Sequence, residues 1–486
     1  MNYSEVAVFV VYLAFMIGIG VYFFIKTKTG GEKTYFLGGR KMGPFVTALS
    51  AGASDMSAWV LMGLPTSIFA AGLGKVWIAV GLLIGYTLSW IFEAKRLHNF
   101  SIKAKDSITI PQYLTNRFLS SSKALQIICA VVFLIAYTVY AASSIKACGT
   151  LFNKVIGLDT TVAMYLAAVV IISYTFLGGF SAVCWTDFFQ GLLILGAMLI
   201  APIFAVNLTD FAKAGELPAD YWNPLADWKT MVSGLGWGLG YFGMPHIIVR
   251  FMSIRSSKEI KKSGVIAVSW TTLILVFAAI IGIIGRLYLP SSEYQDVVDG
   301  SLVFVNMVRE IFPALVSGLL LSAVLAASMS TADSQLLAAS SAFAADVYKP
   351  VIRKDKSSDK EMIWVGRIVV LAISLVAMFI ALNPNAGSIM DLVENAWGLF
   401  GAAFGPAILL SLYWKRMNFA GTVAGIVTGA VVDIVWLMWI GLGIYEIIPG
   451  FFAGLIVSII VSLATAAPSK EVTDLFDEAV SYVDPE

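Results

Sequence analysis

Ala327, Ser330, Thr331 and Ser334 recur at i, i+3, i+4 and i+7 in the apolar run AVLAASMSTADSQLLAASS (323–341). That spacing puts small and hydroxyl-bearing residues on one helix face, with Asp333 on its flank. Two chemistries fit. Hydroxyls on a helix can bond back to carbonyls one turn earlier. They can also hold a hard monovalent cation if an interrupted second helix turns freed carbonyls toward them. A stretch suited to interruption exists: SAGASDMSAWVLMGLP (50–65) places Asp55, Gly52, Gly63, three serines and Pro65 inside an apolar run. A carboxylate at mid-membrane costs roughly 2.5–3.5 kcal/mol even on the lenient insertion scale, so Asp55 needs a partner or a task.

A second breaking run is SGLGWGLGYFGMPHIIVR (233–250), with Gly234, Gly236, Gly238, Gly240 and Gly243 ahead of Pro245. Glycine costs about 1 kcal/mol and proline about 3 in a helix interior. Backbone groups freed in lipid survive only when buried in protein or lining a wet cavity. Glycines also let helices pack closely, and that reading stays open beside the broken one. Catalysis has less support. Neither a nucleophile–base pair nor a metal-ligand cluster is visible, GxxxxGK[ST] is absent, and His98 and His246 stand apart as packing residues, so no enzyme is expected.

The elements that position these residues are membrane spans. The 486 residues are 59% hydrophobic and only 13% charged, against about half and a quarter in soluble domains. A net charge of +1 offers nothing to nucleic acid. Cys129, Cys148 and Cys184 all fall in apolar segments and read as packing residues. With about 20 residues per crossing, the chain is expected to be an all-α polytopic protein of about thirteen transmembrane helices. The spans, numbered 1 to 13, are 4–26, 44–72, 76–93, 124–152, 160–178, 183–207, 230–250, 264–289, 310–345, 362–383, 387–413, 418–441 and 448–466. With the N-terminus outside, 25 of the 32 basic residues fall on cytoplasmic segments, including 250–262. The expected location is the cell membrane, with the tail 467–486 cytoplasmic. Loops such as 94–123, 208–229 and 290–309 have room for short amphipathic helices but not for an appended domain. The breaks fall in spans 2 and 7, five apart and hence oppositely oriented, as in an inverted-repeat transporter. The expected organisation is an accessory span and loop (1–43), a first repeat (44–229), a second repeat (230–413), accessory spans (414–466) and the tail.

Five ordered motifs, TYFLGGRKMGP (34–44), 50–65, GGFSAVCWTDFFQG (178–191), GLGYFGMPHIIVRFM (238–252) and MSTADSQLL (329–337), resemble the sodium/solute symporter family. The resemblance runs over about residues 1–466. It implies a leucine-transporter-like 5+5 core with discontinuous helices, and co-transport of Na+ with a small solute, L-proline foremost. It implies sodium held by the carbonyls of Ala53, Met56 and Ala327 and the hydroxyls of Ser330 and Thr331, with Asp55 and Ser57 adjacent. Family members often carry glycine or a small residue after that serine, and Ala58 stands there. For the zwitterionic solute it favours Tyr140, Trp237, Tyr241 and Pro245, with Ser57 and Gly63 from the opposite break. Trp59 is a further candidate wall, since cation–π attraction is worth about 0.5–2 kcal/mol. Another small solute, or a transporter-like sensor, is the alternative.

Asp187 and Asp333 have no Lys or Arg within four residues in sequence, and both should lie inward of the main site. Intramembrane carboxylates line ion paths or pair with one another. With Ser334 they are expected to form an inner cation station, used for exit or for a second ion; helix capping is the competing reading.

Overall fold

The computed structural model describes residues 2–26, 31–177, 179–208, 217–289 and 294–484. Residues 1, 27–30, 178, 209–216, 290–293 and 485–486 lie outside the described residues. They include Lys28 and Lys213 of the charge count, Gly178 of the third motif, and parts of the loops 208–229 and 290–309.

The described elements are helices, and the one β-type pairing among them is an isolated bridge between Met42 and Ile254. Among the described residues ten continuous helical stretches are long and apolar enough to cross a membrane, a count that does not confirm the expected thirteen. The physical reason for the difference is continuity. Spans 2 and 7 are broken, so their pieces fall short of a crossing. Span 5 contributes the shorter apolar helix Thr160–Ser173. One stretch, Trp59–Lys103, runs for 45 residues, roughly 68 Å at 1.5 Å per residue and over twice the bilayer core. It doubles back at Gly72, whose φ of +79° suits glycine. Span 8 (helix Ile260–Tyr288) shows the reversal. A Cβ on its Gly282 or Gly285 would meet Pro65 or Phe69 of span 2, and one on Gly264 would meet Trp90 of span 3.

Spans 2 and 7 lie antiparallel, because their contacts run in opposite order: Ser50 with Arg250, Asp55 with Tyr241, Trp59 with Trp237. Spans 9 and 11 are the most enclosed, with 78% and 83% of their most apolar stretch buried against 22% for span 1. That ordering puts the hydroxyl stripe in the protein interior and span 1 against lipid.

The connecting loops do carry short helices: Ala94–Lys103 and Ile110–Arg117 after span 3, and Tyr294–Gly300 and Val303–Ile311 before span 9. The tail forms the helix Lys470–Ser481, capped by Ser469. Its apolar face buries Val472, Phe476 and Ala479, with Phe476 edge-on to Phe100 at 5.3 Å. Asp484 accepts from Ser256 Oγ at 3.0 Å and sits 3.6 Å from His98 Nε2, while Lys415 pairs with Asp477. The tail is therefore strapped across the end of the molecule where the basic loops collect.

Candidate ion and substrate site

Helix Pro44–Asp55 stops where Met56 leaves helical geometry (ψ 71°), and the chain resumes as a wide turn over Trp59–Gly63. In an unbroken helix the Ser57 N–H would bond the Ala53 carbonyl. Here it donates to Asp55 O at 2.9 Å. The Ala53 carbonyl, thus freed, accepts from Ser330 Oγ at 2.7 Å and Thr331 Oγ1 at 3.4 Å. Ser330 also reaches Ala327 O at 3.2 Å. Four of the five expected ligands thus converge. Met56, the fifth, is buried in the break with its N–H on Gly52 O. Ser330 thus bonds both its own helix and the broken one.

Asp55 is fully buried. Its Oδ2 accepts from Tyr241 Oη at 2.5 Å, and its Oδ1 has no hydrogen-bond partner. Orphaned buried oxygens are rare and call for a proton, water or ion. Tyr241 was expected as substrate wall through its ring. The structure adds a second part: its hydroxyl ties the break of span 7 to the break of span 2.

Span 7 is helical over Trp228–Gly236, tightens over Trp237–Phe242, opens at Gly243 and Met244, and restarts at Pro245. Close packing accompanies the break. A Cβ on Gly240 would stand 2.0 Å from Trp397 Nε1, and one on Gly85 of span 3 would stand 2.1 Å from Gly238 O. The glycines serve both readings at once. Trp397 Nε1 donates to Trp237 O at 2.8 Å across the opening.

The aromatic side chains pack against one another. Trp237 lies 6.2 Å from Trp59 and Trp397 and 5.2 Å from Tyr445, while Tyr241 lies 4.8 Å from Tyr86. Tyr140 is buried beside Ser57 with its hydroxyl unpartnered. Gly63 abuts Met390 of span 11. Pro245 faces the other way, into a small cavity of about 20 Å³ that Arg250 and Ser334 also line.

The inner carboxylates do come together. Asp187 Oδ2 accepts from Ser50 Oγ at 2.7 Å and from Arg250 Nη2 at 3.2 Å, and the same Nη2 donates to Ser334 Oγ at 2.6 Å. Ser334 reaches Asp333 at 3.3 Å. Arg250 also donates to Ser50 Oγ at 3.1 Å and to His246 O. Sequence distance hid this partner. Counted as a loop charge, Arg250 is 1% exposed and sits inside the fold. Its only signal was its position on the same span as Tyr241 and Pro245. Ser50 and Trp397 were missed as well. The three cysteines are free and buried.

The sequence profile of the sodium:solute symporter family matches residues 35–429. The high-affinity proline transporter PutP of Bacillus subtilis (strain 168) is 42% identical over 467 residues, covering 94% of this chain and 98% of that one. A sodium/proline symporter of Staphylococcus aureus (strain NCTC 8325 / PS 47) is 42% identical over 492 residues, covering 98% and 95%. Among solved structures, a sodium-coupled sialic acid symporter in a substrate-bound outward-open state superposes with a TM-score of 0.80 at 22% identity, covering 96% of this chain and 99% of that one. The fold is accordingly the leucine-transporter-like one, with discontinuous helices. A profile match over most of the length, with two breaks facing a hydroxyl-bearing helix, places the chain in the sodium:solute symporter family.

Proposed function

We propose that the protein is a sodium-coupled symporter that imports L-proline across the cell membrane by alternating access. The observation that carries this reading is the Ala53 carbonyl, released by the span 2 break and met by Ser330 and Thr331 of span 9. Its relatives are described as proline transporters and sodium/proline symporters. The chain works as a carrier rather than an enzyme. The collection of basic loops at one end supports a cytoplasmic tail and an external N-terminus.

Sodium takes the carbonyls of Ala53, Met56 and Ala327 and the hydroxyl oxygens of Ser330 and Thr331. The hydroxyl hydrogens that point at Ala53 O swing away, and their lone pairs turn inward. Such an ion pins span 2 to span 9. Asp55 supplies negative potential from the adjacent turn, and Ser57 lies between ion and solute. Proline lies between the two breaks. Its carboxylate meets backbone N–H groups where the helices restart, and its ammonium and ring meet Tyr140, Trp237 and Tyr241, with Gly63 bounding the space, while Pro245, turned toward the small inner cavity, sets where the second helix restarts. Because Tyr241 also holds Asp55, solute and ion act on one joint. The two repeats, 44–229 and 230–413, move against each other around it, with the spans of 1–43 and 414–466 outside.

Asp187, Asp333 and Ser334 form an inner station on the exit side. Arg250 is the cation already seated there, and an arriving sodium competes with it for Asp187.

The test is labelled-proline uptake into proteoliposomes with sodium, lithium, potassium or proton gradients imposed one at a time. Uptake should follow the sodium gradient and an inside-negative potential. Uptake driven by protons alone, indifferent to sodium, would overturn the reading.

A further inference from the structure

The molecule's other end, opposite the basic loops, carries a second group of carboxylates that the proposed mechanism does not use. A cavity of about 420 Å³ opens there, lined by Lys75, Trp237, Asp391, Glu394, Tyr445 and Glu446 among others. Behind its wall, Asp433 of span 12 and Glu446 at the start of span 13 approach each other. Asp433 is 1% exposed and Glu446 6%. Asp433 Oδ1 and Glu446 Oε1 have no hydrogen-bond partner. Both oxygens point at one place: they lie 3.0 and 3.3 Å from where a Cβ on Gly398 of span 11 would sit. Glycine at 398 leaves that gap open.

Neither carboxylate takes part in an ion pair among the described residues. The nearby lysines are engaged elsewhere: Lys229 donates to Leu442 O at 2.9 Å, and Lys146 to Gly387 O. Lys75 stands across the cavity, facing Glu394. Two carboxylates crowded in a buried place cannot both stay charged without a compensating cation. Carboxylates outnumber lysines on the cavity wall, which concentrates cations at its mouth. Glu446 lines the cavity while Asp433 lies deeper, so an ion from outside meets them in that order.

We propose that Asp433 and Glu446 form a monovalent-cation site, of sodium-like chemistry, in the wall of the outer cavity and separate from the site between spans 2 and 9. No three carboxylate, histidine or cysteine side chains gather among the described residues, which suits a singly charged ion completed by water more than a divalent one. Occupancy is felt at the solute wall. Glu446 follows Tyr445, whose ring lies 5.2 Å from Trp237 and whose hydroxyl donates to Glu394 O at 2.7 Å.

Equilibrium binding of radiolabelled sodium to the purified full-length protein tests this, in a Ser330→Ala/Thr331→Ala background that disables the central site. A class of sodium binding should remain in that background. It should fall by one ion per protein on adding Asp433→Asn, Glu446→Gln or Gly398→Ala, the last placing a methyl group in the gap, while any ion held at the inner station stays. Residual binding that all three variants leave undiminished overturns the site, as does a background with no residual binding. A pair that releases or takes up one proton on titration, with no sodium effect, overturns it too. Proline uptake is not read, so a wrong solute assignment leaves the result interpretable.

Discussion

Tyr241→Phe removes a single oxygen, the one that donates to Asp55 Oδ2 at 2.5 Å. The ring stays, with its packing on Tyr86 at 4.8 Å and on Trp397 at 5.1 Å. Asp55 has no second partner, since its Oδ1 is already unpaired. A hydrogen bond to a charged group contributes about 1.5–3 kcal/mol. If that bond holds the break in the form that offers Ala53 O to the ion, the competent population falls by roughly 10- to 150-fold on losing it, and apparent sodium affinity falls by the same factor. The half-saturating sodium concentration for proline uptake should rise accordingly, while the proline KM at saturating sodium stays near the wild-type value. Tyr241→Ala, which also removes the ring, should raise both. The assay is initial-rate uptake in proteoliposomes over a sodium series, normalised to protein inserted. Unchanged sodium dependence in Tyr241→Phe would refute the tether and leave Tyr241 as a wall residue only.

Ser330→Ala and Thr331→Ala should each raise half-saturating sodium by roughly tenfold or more, at about 1.5–3 kcal/mol per charge-assisted contact, with little change in protein level; equal sodium curves would reduce the stripe to packing. Trp237→Ala should weaken proline binding, read by calorimetry, and leave sodium binding without proline near wild type. Arg250→Gln should destabilise the fold by about 3–5 kcal/mol, the cost of orphaning one member of a buried pair, and Asp187→Asn/Arg250→Gln should recover part of that in thermal unfolding; strict additivity would deny the pair. Gly85→Ala pushes a methyl group to 2.1 Å from Gly238 O, so it should cost about 1–3 kcal/mol and distort the wall that follows, lowering proline affinity more than a surface change would.

The breaks were legible because they are local. Glycine, proline and a stranded aspartate interrupt a helix wherever it packs, and the hydroxyl spacing on span 9 survives any tertiary context. What joins the pieces was not legible. Tyr241 lies 186 residues from Asp55, and Arg250 lies 63 from Asp187, so no window could pair them. Counting charges by loop assigned Arg250 to solvent, because that count cannot distinguish a charge just past a span from one folded back into it. The thirteen spans are not confirmed by counting continuous helices, because a helix that breaks after Asp55 and frees Ala53 O no longer reads as one crossing. The glycines of span 7 posed a false choice, since the same absence of side chains permits both the opening and the contact with span 3.

The strapped tail acts as a bias on a two-state equilibrium. It joins His98 and Ser256, at the ends of spans 3 and 7, to Lys415, just past span 11. Any inward opening that parts those ends must first undo the strap. Exposed ion pairs contribute about 0.2–1 kcal/mol each, and burying a side chain such as Phe476 about 1.5–3. A total of about 2–4 kcal/mol makes a closed inner face roughly 30- to 900-fold more populated than it would be without the tail. Removing residues 467–484 should therefore shift the resting protein toward the inward-open form, visible as faster labelling of a cysteine placed at Ala338, on the inner cavity's wall.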